Sequence, residues 1–337
     1  MKTTNIIFIQ KNKVAVINNE ITGPGPCELL CKARKSLIST GTETLCLRGE
    51  FDPGTNWADW VKYPFAAGYS MQADVIAVGK NVHRYREGDR INATIPHVSL
   101  FCINEKDALP TPDYISDTDA SFVLVSMTAQ LGVRRADIKL GETAVVIGLG
   151  LIGLMTLQYL NLMGCRQVIA IDIAQTRLDM ARKIGTAHII EDVASNAVEQ
   201  IRELTNGHMA DIVFDATGHP AVLSQAVALC RRLGRVVLVG DTTHPNSQYV
   251  GPGVVSNSVS ILGIHASCYP SEYTEFTQWS KAEMVSLLFE YIRQGKISMN
   301  SLITGIHDPL HAPEVYGELV NNRSKHIAEL FDWDQIS

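Results

Sequence analysis

The chain is predicted to be an α/β protein of two parts, a doubly wound parallel sheet and a second, β-rich domain, and three observations predict it. The first 120 residues break into short alternating segments separated by glycine, proline and asparagine turns; beyond them apolar strands alternate with helical runs; and the first of those strands runs into GLGLIG at 148–153. Length agrees with two cores, because 337 residues exceed the roughly 250 to 300 at which a single core stops growing.

Taken in order, NKVAVINN and CELLCKARKSLIS alternate as strands do, and TGPGP, FDPGTN, VGKNV and REGDR read as the turns between such strands. This β-rich domain is assigned residues 1–123. After LPTPDYISDTDASFVLVSMTAQLGVRRADI the period changes. The strand TAVVIGLG leads into the helix LIGLMTLQYLNLMG, followed by QVIAID, AQTRLDMARKIG, AHIIED, NAVEQIRELTNG, ADIVFDATG, PAVLSQAVALCRRLG, RVVLVGD and VSILGIH. Strands separated by helices of about 10 to 15 residues are the pattern of βαβ units on a parallel sheet, assigned residues 124–268. Residues 269–337 hold an amphipathic run, KAEMVSLLFEYIRQGKI, and a last strand, SKHIAELFDW, and are expected to return to the first domain.

Composition sets the class. With 46% apolar and 19% charged residues and a net charge of −6, the chain falls among soluble globular enzymes, and without a basic run nucleic acid is not an expected partner. Gln10, Lys11 and Lys13 interrupt the apolar start MKTTNIIFIQKNKVAVINNE, so neither a secretory core nor a membrane span is expected there, and a cytoplasmic protein follows. Seven scattered cysteines, at 27, 31, 46, 102, 165, 230 and 268, suit a reducing compartment better than a disulfide framework. Cys27 and Cys31 share one strand with no second pair elsewhere, which speaks for packing rather than for zinc.

GLGLIG carries the clearest chemistry. It follows an apolar strand, opens a helix, and precedes Asp172 at the end of the next strand, 19 residues past its last glycine. Gly148 permits the tight turn, Gly150 lets the backbone approach a pyrophosphate, and Gly153 lets helix and sheet close up. Leu151 and Ile152 then begin a helix whose free N–H groups and positive dipole end face the phosphates. Asp172, with Ile173 beside it, is expected to accept from the adenosine ribose hydroxyls and to repel a 2′-phosphate, favouring NAD(H) over NADP; Arg177 would weaken that preference if it turned towards the ribose. A bare glycine turn, and an acid placed at a helix start for its dipole, are the alternatives. Thr217, Gly218 and Gly240 end later strands, where open α/β sheets bind ligands, and are candidate cofactor neighbours. His265, after the last of these strands, is another; a structural histidine is the alternative there and at His97 in IPHVSLF.

Together VIAVGKNVHRYREGDRI, GETAVVIGLGLIGLM and FDATG resemble the medium-chain dehydrogenase/reductase superfamily over essentially the whole chain. That resemblance implies a GroES-like catalytic domain interrupted by a Rossmann domain, with the active site in the cleft between them and a homodimer formed through the edge strand VVSNSVSILGI. Zinc-dependent members carry Cys-Gly-x-Asp, Gly-His-Glu and a further cysteine. The matching positions here are Thr40-Gly41-Thr42-Glu43 and Gly68-Tyr69-Ser70, FVLVSM has no cysteine, and the region of the structural zinc lobe holds only Cys102. A catalytic zinc takes about three Cys, His or carboxylate donors, and Glu43 alone does not supply them. No metal is expected. The chain resembles a zinc-independent branch with the motifs STGTE at 39–43 and GYS at 68–70, a group that includes the dehydrogenase of a bacteriochlorophyll hydroxyethyl side chain.

Without a Lewis acid, hydroxyls are left to stabilise an alkoxide or polarise a carbonyl. The resemblance places Tyr69 and Thr40 facing a small-molecule substrate. Tyr69 is expected to act as acid/base, given a lowered pKa, or as oxyanion donor, with Thr42 and either Ser39 or Thr40 as hydrogen-bonding partners; Thr42 matches the hydroxyl residue that relays a proton in zinc-dependent relatives. Packing for Tyr69 and local turn bonds for the threonines are the alternatives. Glu43 is expected either to hold a substrate hydroxyl or to pair with Arg48. The resulting expectation is a zinc-independent NAD(H)-dependent alcohol dehydrogenase or ketone reductase acting on a secondary hydroxyl or ketone of a polyol, sugar-like or other small metabolite. An NADPH-dependent quinone or enone reductase, suggested by LRGEF at 47–51, and a non-catalytic nucleotide-binding protein are the alternatives.

Overall fold

The structure is a computed structural model and describes residues 1–270, 272–275 and 278–336. It divides into two compact units: residues 1–50, 56–124 and 303–337 form the first, and residues 51–55 and 125–302 the second.

In the first unit β1 (Lys2–Gln10) turns back into β2 (Lys13–Glu20). Asn12 takes the left-handed conformation at that turn, φ 56°, which its short polar side chain tolerates. β3 (Glu28–Ile38) leads into α1 (Thr40–Arg48) and α2 (Asn56–Trp60). Then come β4 (Phe65–Ala66), β5 (Met71–Val78), β6 (Arg90–Ala93), β7 (Leu100–Asn104), β8 (Leu109–Pro110) and α3 (Asp117–Ala120).

α4 (Val123–Arg135) leads into the second unit, where strands and helices alternate as expected: β9 (Thr143–Ile147), α5 (Leu151–Asn161), β10 (Gln167–Asp172), α6 (Gln175–Lys183), β11 (His188–Glu191), α7 (Val198–Leu204), β12 (Ala210–Asp215), α8 (Val222–Leu229), β13 (Cys230–Leu238) and β14 (Ser260–Gly263). The sheet runs β11-β10-β9-β12-β13-β14, every neighbouring pair parallel. This is the 3-2-1-4-5-6 order of a doubly wound sheet. Central β9 is buried on both faces, the reason TAVVI reads as an unbroken apolar run. Where the sequence suggests one helix through PAVLSQAVALCRRLG, the helix stops at Leu229 and Cys230 already pairs with Ala210, while Leu233 makes an irregular turn at φ 60°.

α9 (Lys281–Arg293) corrects the expected boundary at 269. Residues up to 302 cluster with the second unit. Gln130 of α4 donates to the Met284 carbonyl at 3.1 Å, and Gln158 of α5 both donates to the Ser298 carbonyl at 3.2 Å and accepts from its N–H at 2.8 Å. The amphipathic face of α9, with Met284, Val285, Leu288 and Phe289, is buried.

The chain rejoins the first unit with β15 (Ile303–His307), α10 (Ala312–Asn321) and β16 (Ala328–Asp332). A seven-stranded sheet runs β15-β16-β3-β5-β6-β8, with β7 also on β3, beside a three-stranded sheet β2-β1-β4. β16 pairs antiparallel with β3, Leu330 opposite Leu37. Phe8 packs edge-on against Tyr316 of α10, ring centroids 4.9 Å apart, in a core with Leu29, Ile38, Phe331 and Trp333. Each such side chain stabilises by about 1.5–3 kcal/mol relative to exposure. Among the described residues no helix is long and apolar enough to cross a membrane.

Candidate functional site

Each unit contributes its own candidate residues. In the second, the turn between β9 and α5 is shaped by glycines. Gly148 has φ 87°, and a Cβ on it would stand 2.6 Å from Thr217 Cγ2; a Cβ on Gly153 would stand 1.9 Å from the Gly148 carbonyl oxygen. Nothing lies within 4 Å of a Cβ built on Gly150, the N-cap, and it makes no side-chain cap. The first bond of the helix comes from Leu154 N–H to the Gly150 carbonyl, 2.9 Å, so the N–H groups of Leu151, Ile152 and Gly153 precede the helical ladder. An open approach in front of free N–H groups at a helix start fits a pyrophosphate.

Asp172 lies at the end of β10 and is 7% exposed. Its Oδ2 accepts from Leu149 N–H at 2.6 Å and its Oδ1 from Ala174 N–H at 2.8 Å, so it fastens the glycine turn to the second strand. A carboxylate has about four lone-pair positions, so two backbone bonds leave room for ribose hydroxyls. Arg177 does turn to it, Nη1 to Oδ2 3.8 Å, while Ile173 is exposed. Thr217 donates to Asp215 Oδ1 through its hydroxyl, 2.6 Å, and its N–H, 2.9 Å. Gly218, at φ 64°, and Gly240 pack so tightly that a Cβ on Gly240 would meet the Gly218 nitrogen at 2.5 Å. His265 is exposed and pairs with the Ser267 hydroxyl at 2.7 Å.

In the first unit the candidates gather at the start of α1. Ser39 is the N-cap, and Glu43 reaches back so that its Oε1 accepts the Ser39 N–H at 2.7 Å, a variant of the capping box. Glu43 is 1% exposed; its Oε2 accepts from the Tyr316 hydroxyl of α10 and lies 3.0 Å from His97 Nε2. His97 Nδ1 in turn lies 2.7 Å from Ser36 Oγ, which accepts from Trp333 Nε1 at 2.8 Å. Gly68 makes room for this: at φ 89°, any Cβ there would come within 2.5 Å of the imidazole. Of the two roles expected for Glu43, the pairing with Arg48 is replaced by contacts with Ser39, Tyr316 and His97.

Tyr69, one residue on, is half-buried, with the hydroxyls of Ser39 and Thr42 near its phenol. Burial pushes the phenol up, and the Glu43 charge pushes it further, against a smaller opposite pull from those two hydroxyls. The lowered pKa that an acid/base role would require is not what burial produces; a phenol held protonated fits the other expected role, that of a hydrogen-bond donor. Thr40 stands apart, buried, with its hydroxyl 3.4 Å from the Ile327 carbonyl, and Ser70 donates to the Ser121 carbonyl at 2.6 Å. Ser36, Tyr316 and Trp333 were not legible as site residues; Tyr316 lies 273 positions from Glu43, and only the fold brings them together.

Among the described residues no group of three or more His, Cys, Asp or Glu side chains is placed to hold a metal ion. The hydroxyls of Thr40, Tyr69 and Ser70 are a donor set that does not fit a tetrahedral zinc.

The fold, a Rossmann domain with a GroES-like domain, is shared with solved dehydrogenases: a putative zinc-binding dehydrogenase of Sinorhizobium meliloti 1021 bound to NADP and a short chain alcohol dehydrogenase, rspB, of Escherichia coli CFT073 complexed with NADH both superpose with a TM-score of 0.81 at 21% identity, each over 98% of this chain and 99% of the other. Residues 152–282 match the family described as zinc-binding dehydrogenase. The chain is 24% identical to an uncharacterized zinc-type alcohol dehydrogenase-like protein, YdjJ, of Escherichia coli K12, over 96% of each, and 26% identical to sorbitol dehydrogenase of Bacillus subtilis, over 62% of this chain and 69% of that one. It is thus similar to the medium-chain, zinc-type alcohol dehydrogenase-like proteins.

Proposed function

We propose that the protein is an alcohol dehydrogenase or ketone reductase that works without a catalytic zinc, moving a hydride between NAD(H) and a secondary hydroxyl or ketone of a polyol or sugar-like metabolite. What supports this reading is that Thr40 and Tyr69, at the positions that match zinc ligands in the relatives, carry hydroxyls, and that burial keeps the Tyr69 phenol protonated. The turn between β9 and α5 and Asp172 would hold the nicotinamide cofactor, and Thr42, which matches the hydroxyl residue that relays a proton in zinc-dependent relatives, would pass on the proton of the substrate hydroxyl. Bound nicotinamide supplies the hydride acceptor; Tyr69 donates a hydrogen bond to the oxygen as it acquires charge. Similarity to sorbitol dehydrogenase supports a polyol, and Asp172 supports NAD(H). Arg177, 3.8 Å from Asp172, favours a second reading in which NADP(H) is accepted as well.

The test is a cofactor-absorbance assay on chelator-treated protein, pairing NAD⁺ and NADP⁺ with polyols, and NADPH with quinones and enones. Oxidation of a polyol that survives chelation is the expected result. Activity that chelation abolishes and zinc restores defeats the zinc-free reading, and turnover only of enones with NADPH replaces it by the reductase.

A further inference from the structure

β3 ends at Ile38 and α1 begins at Thr40, so Ser39, Thr40, Gly41 and Thr42 form a strand-to-helix junction that carries most of the candidate hydroxyls of the first unit. Ser39 is the N-cap, yet its side chain makes no cap bond. A helix start that lacks its usual cap has to be held by other groups. Glu43 supplies one from within the helix, taking the Ser39 N–H at 2.7 Å.

A single ring then touches the chain on both sides of that junction. His97 Nδ1 lies 2.7 Å from Ser36 Oγ, on β3 before Ser39, and its Nε2 lies 3.0 Å from Glu43 Oε2, on α1 after it. Both partners are held a second time, Ser36 Oγ by the Trp333 Nε1–H at 2.8 Å and Glu43 Oε2 by the Tyr316 hydroxyl. The histidine is itself fixed. Its N–H donates to the Ala67 carbonyl at 2.7 Å, its carbonyl accepts from the Ile6 N–H at 3.1 Å, and Phe331 meets its ring edge-on, centroids 5.1 Å apart. Ser36 is paired with Met71 of β5 on one side and Phe331 of β16 on the other, so one end of the grip belongs to the middle of a sheet. Gly68 leaves the ring its room, since any Cβ there would come within 2.5 Å of the imidazole.

Packing alone does not account for this arrangement. Ser36, Glu43, His97, Tyr316 and Trp333 are each at most 1% exposed, and apolar side chains would fill the same space without the cost of burying polar groups. What apolar groups do not supply is direction. Hydrogen bonds restrict angle as well as distance, and a satisfied buried network specifies one arrangement of its members. A helix start tied to the sheet through one ring is held in both position and rotation.

We propose that His97 is a positioning residue for the reaction: by bracing Ser36 against Glu43 it fixes the β3–α1 junction, and with it the place of Thr42 within the turn between them. This rests on the reading of Thr42 as the residue that passes on the substrate proton, and adds what holds it there. The brace depends on the reach of the ring, because an asparagine or glutamine at 97 spans to one of the two partners and not to both.

The experiment compares full-length wild type, His97→Asn, Ser36→Ala and the double variant by amide hydrogen exchange of the 36–47 segment, by kcat with the polyol found in the chelation assay, and by NADH fluorescence titration. Each single variant opens one side of the brace. Exchange across 36–47 is expected to quicken and kcat to fall by about ten-fold, the upper end for one hydrogen bond, with NADH affinity unchanged. The double variant should be little worse than either single one, because both act through the same ring. Losses in kcat that add, exchange in 36–47 that stays as in the wild type, or exchange that quickens evenly over the whole first unit each overturns the proposal, the last by reducing His97 to a general support of the fold. Quickened exchange with undiminished kcat overturns it as well. Should His97→Asn not fold, Ser36→Ala decides alone by the same readouts. A wild type that turns over no alcohol defeats the proposed function separately, and the exchange of 36–47 then still decides whether the brace exists.

Discussion

Each unit's candidate site includes a buried carboxylate, Asp172 in one and Glu43 in the other, and the two are held differently. Asp172 is gripped by two backbone N–H groups, of Leu149 and Ala174, and approached by Arg177. Glu43 takes one backbone N–H and two side chains, His97 and Tyr316, from distant parts of the chain. The first site is made by the backbone, with glycines clearing the way; the second is made by side chains that meet only after folding. A backbone site tolerates changes of side chain and fails when a Cβ is added. A side-chain site should do the reverse.

The largest expected effect breaks the first half of that contrast. Gly153→Val puts its branched side chain where a Cβ alone would already stand 1.9 Å from the Gly148 carbonyl oxygen. Backbone is not free to yield as a flexible side chain is, so we expect a cost at or above the usual overpacking range, about 3 kcal/mol or more. Thermal unfolding and NADH fluorescence titration measure it. A variant that keeps both its melting temperature and its nucleotide affinity would show that the close approach of α5 to β9 matters to neither.

The contrast also explains what was legible in the sequence. GLGLIG, Asp172 and Arg177 lie within 30 residues of one another, and their roles depend on chain conformation, which glycine positions and strand–helix alternation report directly. The doubly wound sheet could be read for the same reason: AVVI in β9 and IVF in β12 are unbroken apolar runs because both faces of a parallel sheet are covered. The return to the first unit was misplaced, since an amphipathic helix such as α9 shows that it has a buried face and not which core buries it. At the second site STGTE and GYS pointed to Ser39, Thr42 and Tyr69, but the sign of the Tyr69 shift depends on its burial and on a charge whose partners sit at 97 and 316. No local pattern encodes those.

Next in size is Tyr69→Phe, which removes one hydroxyl and leaves a ring of the same shape. If the phenol donates to the developing oxyanion, kcat should fall by roughly 10²–10³, the usual consequence of losing one such donor, while the melting temperature changes little because the phenol's partners Ser39 and Thr42 are half-buried and can turn to water. Steady-state kinetics with the polyol found in the chelation assay gives the number. Unaltered kcat would return Tyr69 to the role of packed aromatic.

The smallest expected effect separates two threonines that the sequence treats alike. Thr42 lies near the Tyr69 phenol, whereas the Thr40 hydroxyl lies a long 3.4 Å from the Ile327 carbonyl and its own carbonyl takes the Thr44 hydroxyl at 2.7 Å. Replacing either by valine keeps the volume and deletes one hydroxyl. Thr42→Val should lower kcat by about ten-fold, the worth of one ordinary hydrogen bond at the upper end of its range, with stability unchanged. Thr40→Val should leave kcat within about two-fold and, because its carbonyl partner Ile327 is buried, show itself in thermal unfolding by about 1 kcal/mol instead. Paired kinetics and melting curves on the two variants decide it. If Thr40→Val were the one to lose activity, the position matching a zinc ligand in the relatives would have kept its place at the substrate, and the hydroxyl set around Tyr69 would have to be redrawn to include it.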